Sequence, residues 1–151
     1  MTLTVSYDEL PGLAGRDLGW TGWAEVTQER VDTFADAADD HQWIHTDPVR
    51  AQDGPFGGPI AHGFLTLSLA TRFWSELLEP RGVATRVNYG LERVRFVSPV
   101  PVGSRVRMNA VVAEVSEVKG DGHQLTVDQT FEVEGAGRPA LVARSLYRFY
   151  R

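Results

Sequence analysis

The chain contains no cysteine. That absence removes disulfides, thiolate zinc sites and cysteine nucleophiles together. Basic residues are in the minority, with 15 Lys and Arg against 20 Asp and Glu and a formal net charge of -5. A nucleic-acid binder needs a basic face to replace counterions on phosphate, so this balance argues against that class. It leaves room for a local basic patch facing a small anionic ligand. No apolar run reaches the roughly 20 residues a membrane span requires. The longest, IAHGFLTLSLATRFW, is interrupted by His62 and Arg72. The opening MTLTVSYDELPGL has no basic region followed by an apolar run, so no secretory signal is expected. Repeats, low-complexity tracts, charged tails, phosphate loops, dinucleotide fingerprints and GxSxG elbows are all missing from the sequence. These exclusions predict a soluble, cytoplasmic protein with neither nucleic acid nor membrane as partner.

What is present is one domain's worth of chain: 151 residues, 42% of them hydrophobic, enough for a core of its own. A single domain over residues 1–151 is expected. The two halves are patterned differently. In WAEVTQERVDTFADAA a short strand near Trp23 gives way to Thr27 as N-cap and an amphipathic helix. TDPVRAQ offers Asp47 as N-cap and Pro48 at the first helical position. After the Gly–Pro loop DGPFGGP, the stretch AHGFLTLSLATRFWSELL predicts one long helix, apolar on most faces and therefore buried. The second half alternates every second residue in four stretches, separated by PVPVGS, KGDG and EGAGRP. Four consecutive strands in a meander, joined by the early strand, predict an α+β architecture of one long helix against a curved antiparallel sheet.

The densest chemistry lies in FADAADDHQWIHTDP, residues 34–48. A helix ends there in Asp39 and Asp40, and two apolar residues, Trp43 and Ile44, precede His45. The interval between Asp40 and His45 is too short to predict another element. If Trp43 and Ile44 pin the loop, a carboxylate and an imidazole can converge on one water and exchange protons with it. The same residues also fit a carboxylate that merely ends a helix and a satisfied core histidine. Asp39 and His41 read as solvated loop residues. The spacing of His41, His45 and His62 matches no compact zinc motif, so no metal is expected. In GGPIAHGF, Gly63 opens the long helix, where free N–H groups carry the positive end of the dipole. A glycine there admits a ligand oxygen, as an oxyanion hole requires, and equally admits close helix–sheet packing. Arg93 and Arg95 share one face of a strand, as surface charge or as contacts for phosphates.

Together, FADAADDHQWIHTDPVRA and GPFGGPIAHGFLTLSLATRFW resemble the MaoC-like dehydratases, a family that includes the R-specific enoyl-CoA hydratases. That family's motif runs Gly-Asp-x-Asn-Pro-aliphatic-His, followed by Pro-Ile-x-His-Gly at the start of the central helix. Asp39 to His45 and Pro59 to Gly63 stand at these positions here. Asp39 replaces the usual Gly, Gln42 the usual Asn and Trp43 the usual Pro, while the Asp and His remain. LERVRFVSPVPVGSRVR also resembles the strand and turn after the family's helix.

The resemblance implies a hot-dog fold, a homodimer with an acyl tunnel near the subunit interface, and reversible hydration of trans-2-enoyl thioesters to (R)-3-hydroxyacyl thioesters. Asp40 and His45 would hold the water and Gly63 would stabilise the enolate oxygen. Gln42 would orient the water or the thioester, His62 would contact substrate or simply brace the loop before Gly63, and Thr71 would hydrogen-bond near Asp40; Arg93 and Arg95 remain the candidates for the phosphates of the handle. No cofactor is implied; coenzyme A or acyl-carrier protein is the substrate's own handle. Two other readings share the fold: a thioesterase directing water at the carbonyl carbon, and a non-catalytic subunit that binds acyl thioesters beside a catalytic partner.

Overall fold

A computed structural model describes all of residues 1–151. The elements run β1 (Leu3–Ser6), a 3-10 helix (Tyr7–Leu13), β2 (Asp17–Trp20), β3 (Ala24–Glu25), α1 (Gln28–Ala38), α2 (Trp43–Thr46), α3 (Pro48–Gln52), α4 (Gly63–Ser68), α5 (Ala70–Leu77), β4 (Leu78–Arg81), β5 (Thr85–Phe96), β6 (Arg105–Val118), β7 (Gly122–Val133) and β8 (Pro139–Tyr150).

Alternation builds the sheet. Val106, Met108, Ala110 and Val112 of β6, Leu125, Val127 and Phe131 of β7, and Leu141, Ala143, Tyr147 and Phe149 of β8 are buried on one face. The other face carries cross-strand pairs such as Arg107–Glu132 and Arg144–Asp128. Gly120 and Asp121 both adopt positive φ in the turn that lets β6 fold back on β7. The predicted meander holds for β6, β7 and β8 only. β5 pairs with β8, giving the order β2-β6-β7-β8-β5, with β3 also on β6. All of these pairings are antiparallel. β1 and β4 form a separate parallel pair.

Phe73, Trp74 and Leu77 of α5 are buried against this face. Trp74 stacks on Tyr147 with ring centroids 4.6 Å apart, and Phe73 meets Phe131 edge-on at 6.0 Å. The predicted single helix is interrupted at Leu69. Ser68 Oγ donates to Leu65 O at 2.7 Å, and the Leu69 N–H is shared between Leu65 O and Thr66 O, each at 3.2 Å. A hydroxyl that takes an early carbonyl loosens the ladder at that turn. The helix is also less buried than its apolar composition predicts, since Phe64 is 70% exposed. A central helical segment wrapped by a curved antiparallel sheet is the hot-dog arrangement.

β5 is the sheet's open edge. Eleven of its twelve residues are exposed, among them Val87, Tyr89, Leu91 and Phe96.

Candidate active site

Thr27 caps α1 by accepting the Arg30 N–H, and Val31 and Ala35 bury its inner stripe. The helix ends at Asp39, which adopts a left-handed conformation with φ 54° and donates its N–H to Ala35 O. This is the position where the motif usually carries glycine, and the backbone explains why. The reversal delivers Asp40 with its side chain about half exposed (52%).

The next residues do form an element, contrary to the sequence expectation: Trp43–Thr46 make a single helical turn. Two anchors set its position. The Trp43 ring lies under the Arg50 guanidinium, 4.4 Å away, and against Gly54, where a Cβ would come within 2.9 Å of the indole. Ile44 O accepts from the Ile60 N–H at 2.9 Å. Trp43 and Ile44 are half-buried, and His45 beside them is buried. Gln28 adds a third tie by donating to His45 O at 2.8 Å.

His45 Nδ1 lies 2.6 Å from Ile60 O. A carbonyl only accepts, so Nδ1 carries the hydrogen and neutral His45 keeps a lone pair on Nε2. Burial holds the His45 pKa below the ordinary histidine value and His62 lowers it further; the Ile60 hydrogen bond and Asp40 oppose this. Ligand atoms of Asp40, His45 and His62 all lie within 4.8 Å of one another. The imidazoles of His45 and His62 are stacked at 3.9 Å and 27°, whereas an ion shared by two imidazoles must lie near the plane of each ring. His41 pairs with Asp36 at 2.8 Å on the surface.

Gly63 begins α4 and its N–H has no hydrogen-bond partner. The Phe96 ring rests directly on it: a Cβ at position 63 would sit 2.9 Å from two ring carbons. Gly63, Phe96, Phe56, Ile60, Thr66 and Leu141 line a cavity of about 260 Å³.

The remaining predicted residues are placed less centrally. Gln42 is exposed; it caps α2 with its backbone, and its side chain makes no cap hydrogen bond. Thr71 accepts a hydrogen bond from Asn88 Nδ2 of β5 at 3.4 Å, so its recorded partner is β5 and not Asp40. Val94 packs on the core, so strand alternation turns Arg93 and Arg95 to the outer face, away from Gly63. Arg95 also folds back onto Val94 O at 2.7 Å. Sequence reasoning missed Gln28, Ile60 and Phe96. Gln28 and Ile60 act on His45 across loops, and nothing in their local pattern marks them.

The family model described as "MaoC like domain" matches residues 11–134. The chain belongs to the MaoC-like family. The match stops short of β8, yet that strand completes the MaoC-like sheet by pairing with both β7 and β5. Among curated relatives, "3-hydroxyacyl-thioester dehydratase Z" of Mycobacterium tuberculosis is 49% identical over 144 residues, covering 95% of each chain. "Nodulation protein N" of Rhizobium leguminosarum bv. viciae is 45% identical over 92% of this chain and 88% of its own. The solved "(R)-hydratase from A. caviae involved in PHA biosynthesis" superposes with a TM-score of 0.70 at 25% identity, over 89% of this chain and 94% of that one. No helix of this MaoC-like chain is long and apolar enough to cross a membrane.

Proposed function

We propose that this MaoC-like protein is a hydro-lyase of fatty-acid metabolism, reversibly adding water to trans-2-enoyl thioesters of coenzyme A or acyl-carrier protein to give (R)-3-hydroxyacyl thioesters. The observation that carries the reading is the convergence of Asp40 and His45, held by separate anchors, with His45 Nε2 left free by the bond from Nδ1 to Ile60. The name of the mycobacterial relative supports the same reaction class.

In the hydration direction, Asp40 and His45 hold one water against C3. A proton leaves the water for this pair as its oxygen bonds to C3. The electrons of the C2–C3 double bond move to the thioester oxygen, and the enolate is quenched by a proton returned to C2 on the same face. His45 is suited to take the water's proton because burial favours its neutral form. The unpartnered Gly63 N–H meets the oxygen where charge develops, and such a donor contributes about 3 kcal/mol. The steps call for no metal or redox cofactor, and coenzyme A enters as part of the substrate. With Arg93 and Arg95 on the outer face, contact with the handle's phosphates would have to be made from that side.

A second copy of the chain is part of the proposal. β5 offers a twelve-residue unpaired edge with several exposed apolar side chains, which a homodimer would cover. A cytoplasmic setting follows the expectation from the cysteine-free sequence.

Incubation with crotonyl-CoA tests the reaction. Loss of enoyl absorbance without thiol release, abolished by Asp40→Asn, is the expected result. Release of free thiol would move the protein to the thioesterases and overturn the reading.

A further inference from the structure

Building on the hydration reading of the same site, we propose that His62 is a positioning residue, the brace that holds Asp40 and His45 in register with Gly63. Its side chain is 3% exposed and touches both members of the pair. His62 Nε2 lies 2.9 Å from the backbone oxygen of Asp40. A carbonyl only accepts, so this nitrogen carries the hydrogen and donates it. The same nitrogen is 4.0 Å from Asp40 Oδ2. On one side the ring stacks on His45 at 3.9 Å, and on the other it is backed by Phe34 at 4.9 Å and 51°.

These contacts join three separate pieces of chain. Asp40 follows α1, His45 belongs to α2, and His62 is the N-cap of α4, covalently next to the free Gly63 N–H. Asp40 is half exposed and its recorded side-chain hydrogen bond, from the Gln42 N–H, is long at 3.4 Å. The hold on its loop therefore comes through the main chain, and His62 supplies the side-chain donor there. A histidine serving only as apolar packing would be replaceable by phenylalanine. The hydrogen bond to Asp40 O is what phenylalanine lacks.

His62 also shapes the titration of His45. The titratable groups facing that ring are Asp40 and His62, while Ile60 and Gln28 contact the residue through neutral groups. His62 is among the influences that hold the His45 pKa down, after burial, so replacing it is expected to shift the His45 titration.

The experiment compares His62→Phe and His62→Gln with wild type in crotonyl-CoA hydration across pH, alongside ¹⁵N-histidine NMR titration of each protein. For His62→Phe, kcat is expected to fall about 100-fold with little change in KM, the scale of a displaced catalytic group. The acid limb and the His45 titration should both move from their wild-type positions. Glutamine can keep the donor to Asp40 O, and His62→Gln should recover at least about tenfold of that loss. A folded His62→Phe protein with near-normal kcat and an unmoved His45 titration would overturn the proposal. So would loss of activity in both variants that merely tracks lost thermal stability. Absence of hydration by the wild type would instead overturn the reaction, and displacement of the His45 ring, Asp40 amide and Gly63 amide resonances in ¹⁵N spectra of His62→Phe, or its absence, would still decide the brace.

Discussion

Gly63→Ala separates the two explanations of the glycine at the helix start. Its new Cβ would lie 2.9 Å from two ring carbons of Phe96 and 3.1 Å from a third. Favourable carbon contacts lie near 3.5–4.0 Å, so ring or helix must yield by roughly half an ångström or more. Phe96 is half exposed, so its ring can swing away. The overlap then costs at the low end of about 1–3 kcal/mol. The lost flexibility of the unfolded chain returns about 0.4–1 kcal/mol, because the glycine has no positive φ to preserve. The net stability loss is below about 2 kcal/mol, or no more than roughly 8 °C in Tm for a chain of this size. Activity should suffer far more. The methyl group stands beside the N–H that the thioester oxygen must approach, and an impaired oxyanion donor costs about 10²-fold in kcat. Calorimetry gives Tm and enoyl absorbance gives kcat. The double variant Gly63→Ala with Phe96→Ala removes the overlap but keeps the methyl, so, compared with Phe96→Ala alone, it should show no added stability cost and keep the catalytic defect. Wild-type turnover by a folded Gly63→Ala protein, or full recovery of kcat in the double variant, would refute the oxyanion reasoning. The glycine would then serve Phe96 packing alone.

Four further outcomes follow from the same geometry. Asp40→Asn keeps the shape of the residue and removes its charge. Hydration should fall at least about 100-fold with Tm nearly unchanged, because the side chain is half exposed; rapid turnover by this variant would remove Asp40 from the mechanism. His45 has a lowered folded pKa, so the acid limb of kcat/KM should lie below about 6.5, the ordinary histidine value. Between the lowered folded pKa and the unfolded value the unfolded chain binds the extra proton. Stability therefore rises with pH through that window and is lost on acidification, and urea unfolding from pH 5 to 8 with His45→Gln as control measures this slope. At the β5 edge, Leu91→Lys places a charge among exposed apolar side chains and should lower the mass seen by light scattering from dimer to monomer. A wild type that already runs as a monomer would defeat the second-copy reading.

The strands were legible because their pattern is local. Alternation through β6, β7 and β8 needs only neighbouring residues, and KGDG marks a turn by its own chemistry. The partner of β5 was not legible. Pairing Arg95 with Val142 instead of a strand next in sequence depends on which edge is open once the meander has formed, a long-range outcome that no window of sequence contains. The break at Leu69 was hidden for a related reason. Proline and glycine announce interruptions, but Ser68 loosens the ladder with a hydroxyl that in another rotamer would face solvent.

The site shows the same division. Asp40 and His45 stand out in the sequence because polar residues flank an apolar pair; in the structure Trp43 ties the loop through its ring on Gly54, whereas Ile44 ties it through its backbone oxygen to Ile60 and not by side-chain burial. Asp39 looks like a departure from the family motif, yet its left-handed φ meets the backbone requirement that glycine usually meets. Tolerance of αL by Asp is what makes the exchange possible. What no spacing rule supplies is the tautomer of His45. It is set by a backbone carbonyl fifteen positions away, and Ile60 would do this equally well as any other residue type, because only its main chain is used. Replacing the Ile60 side chain should therefore alter packing and leave the His45 titration in place. Displacing the Ile60–Ala61 backbone should remove the constraint that leaves Nε2 free for the water.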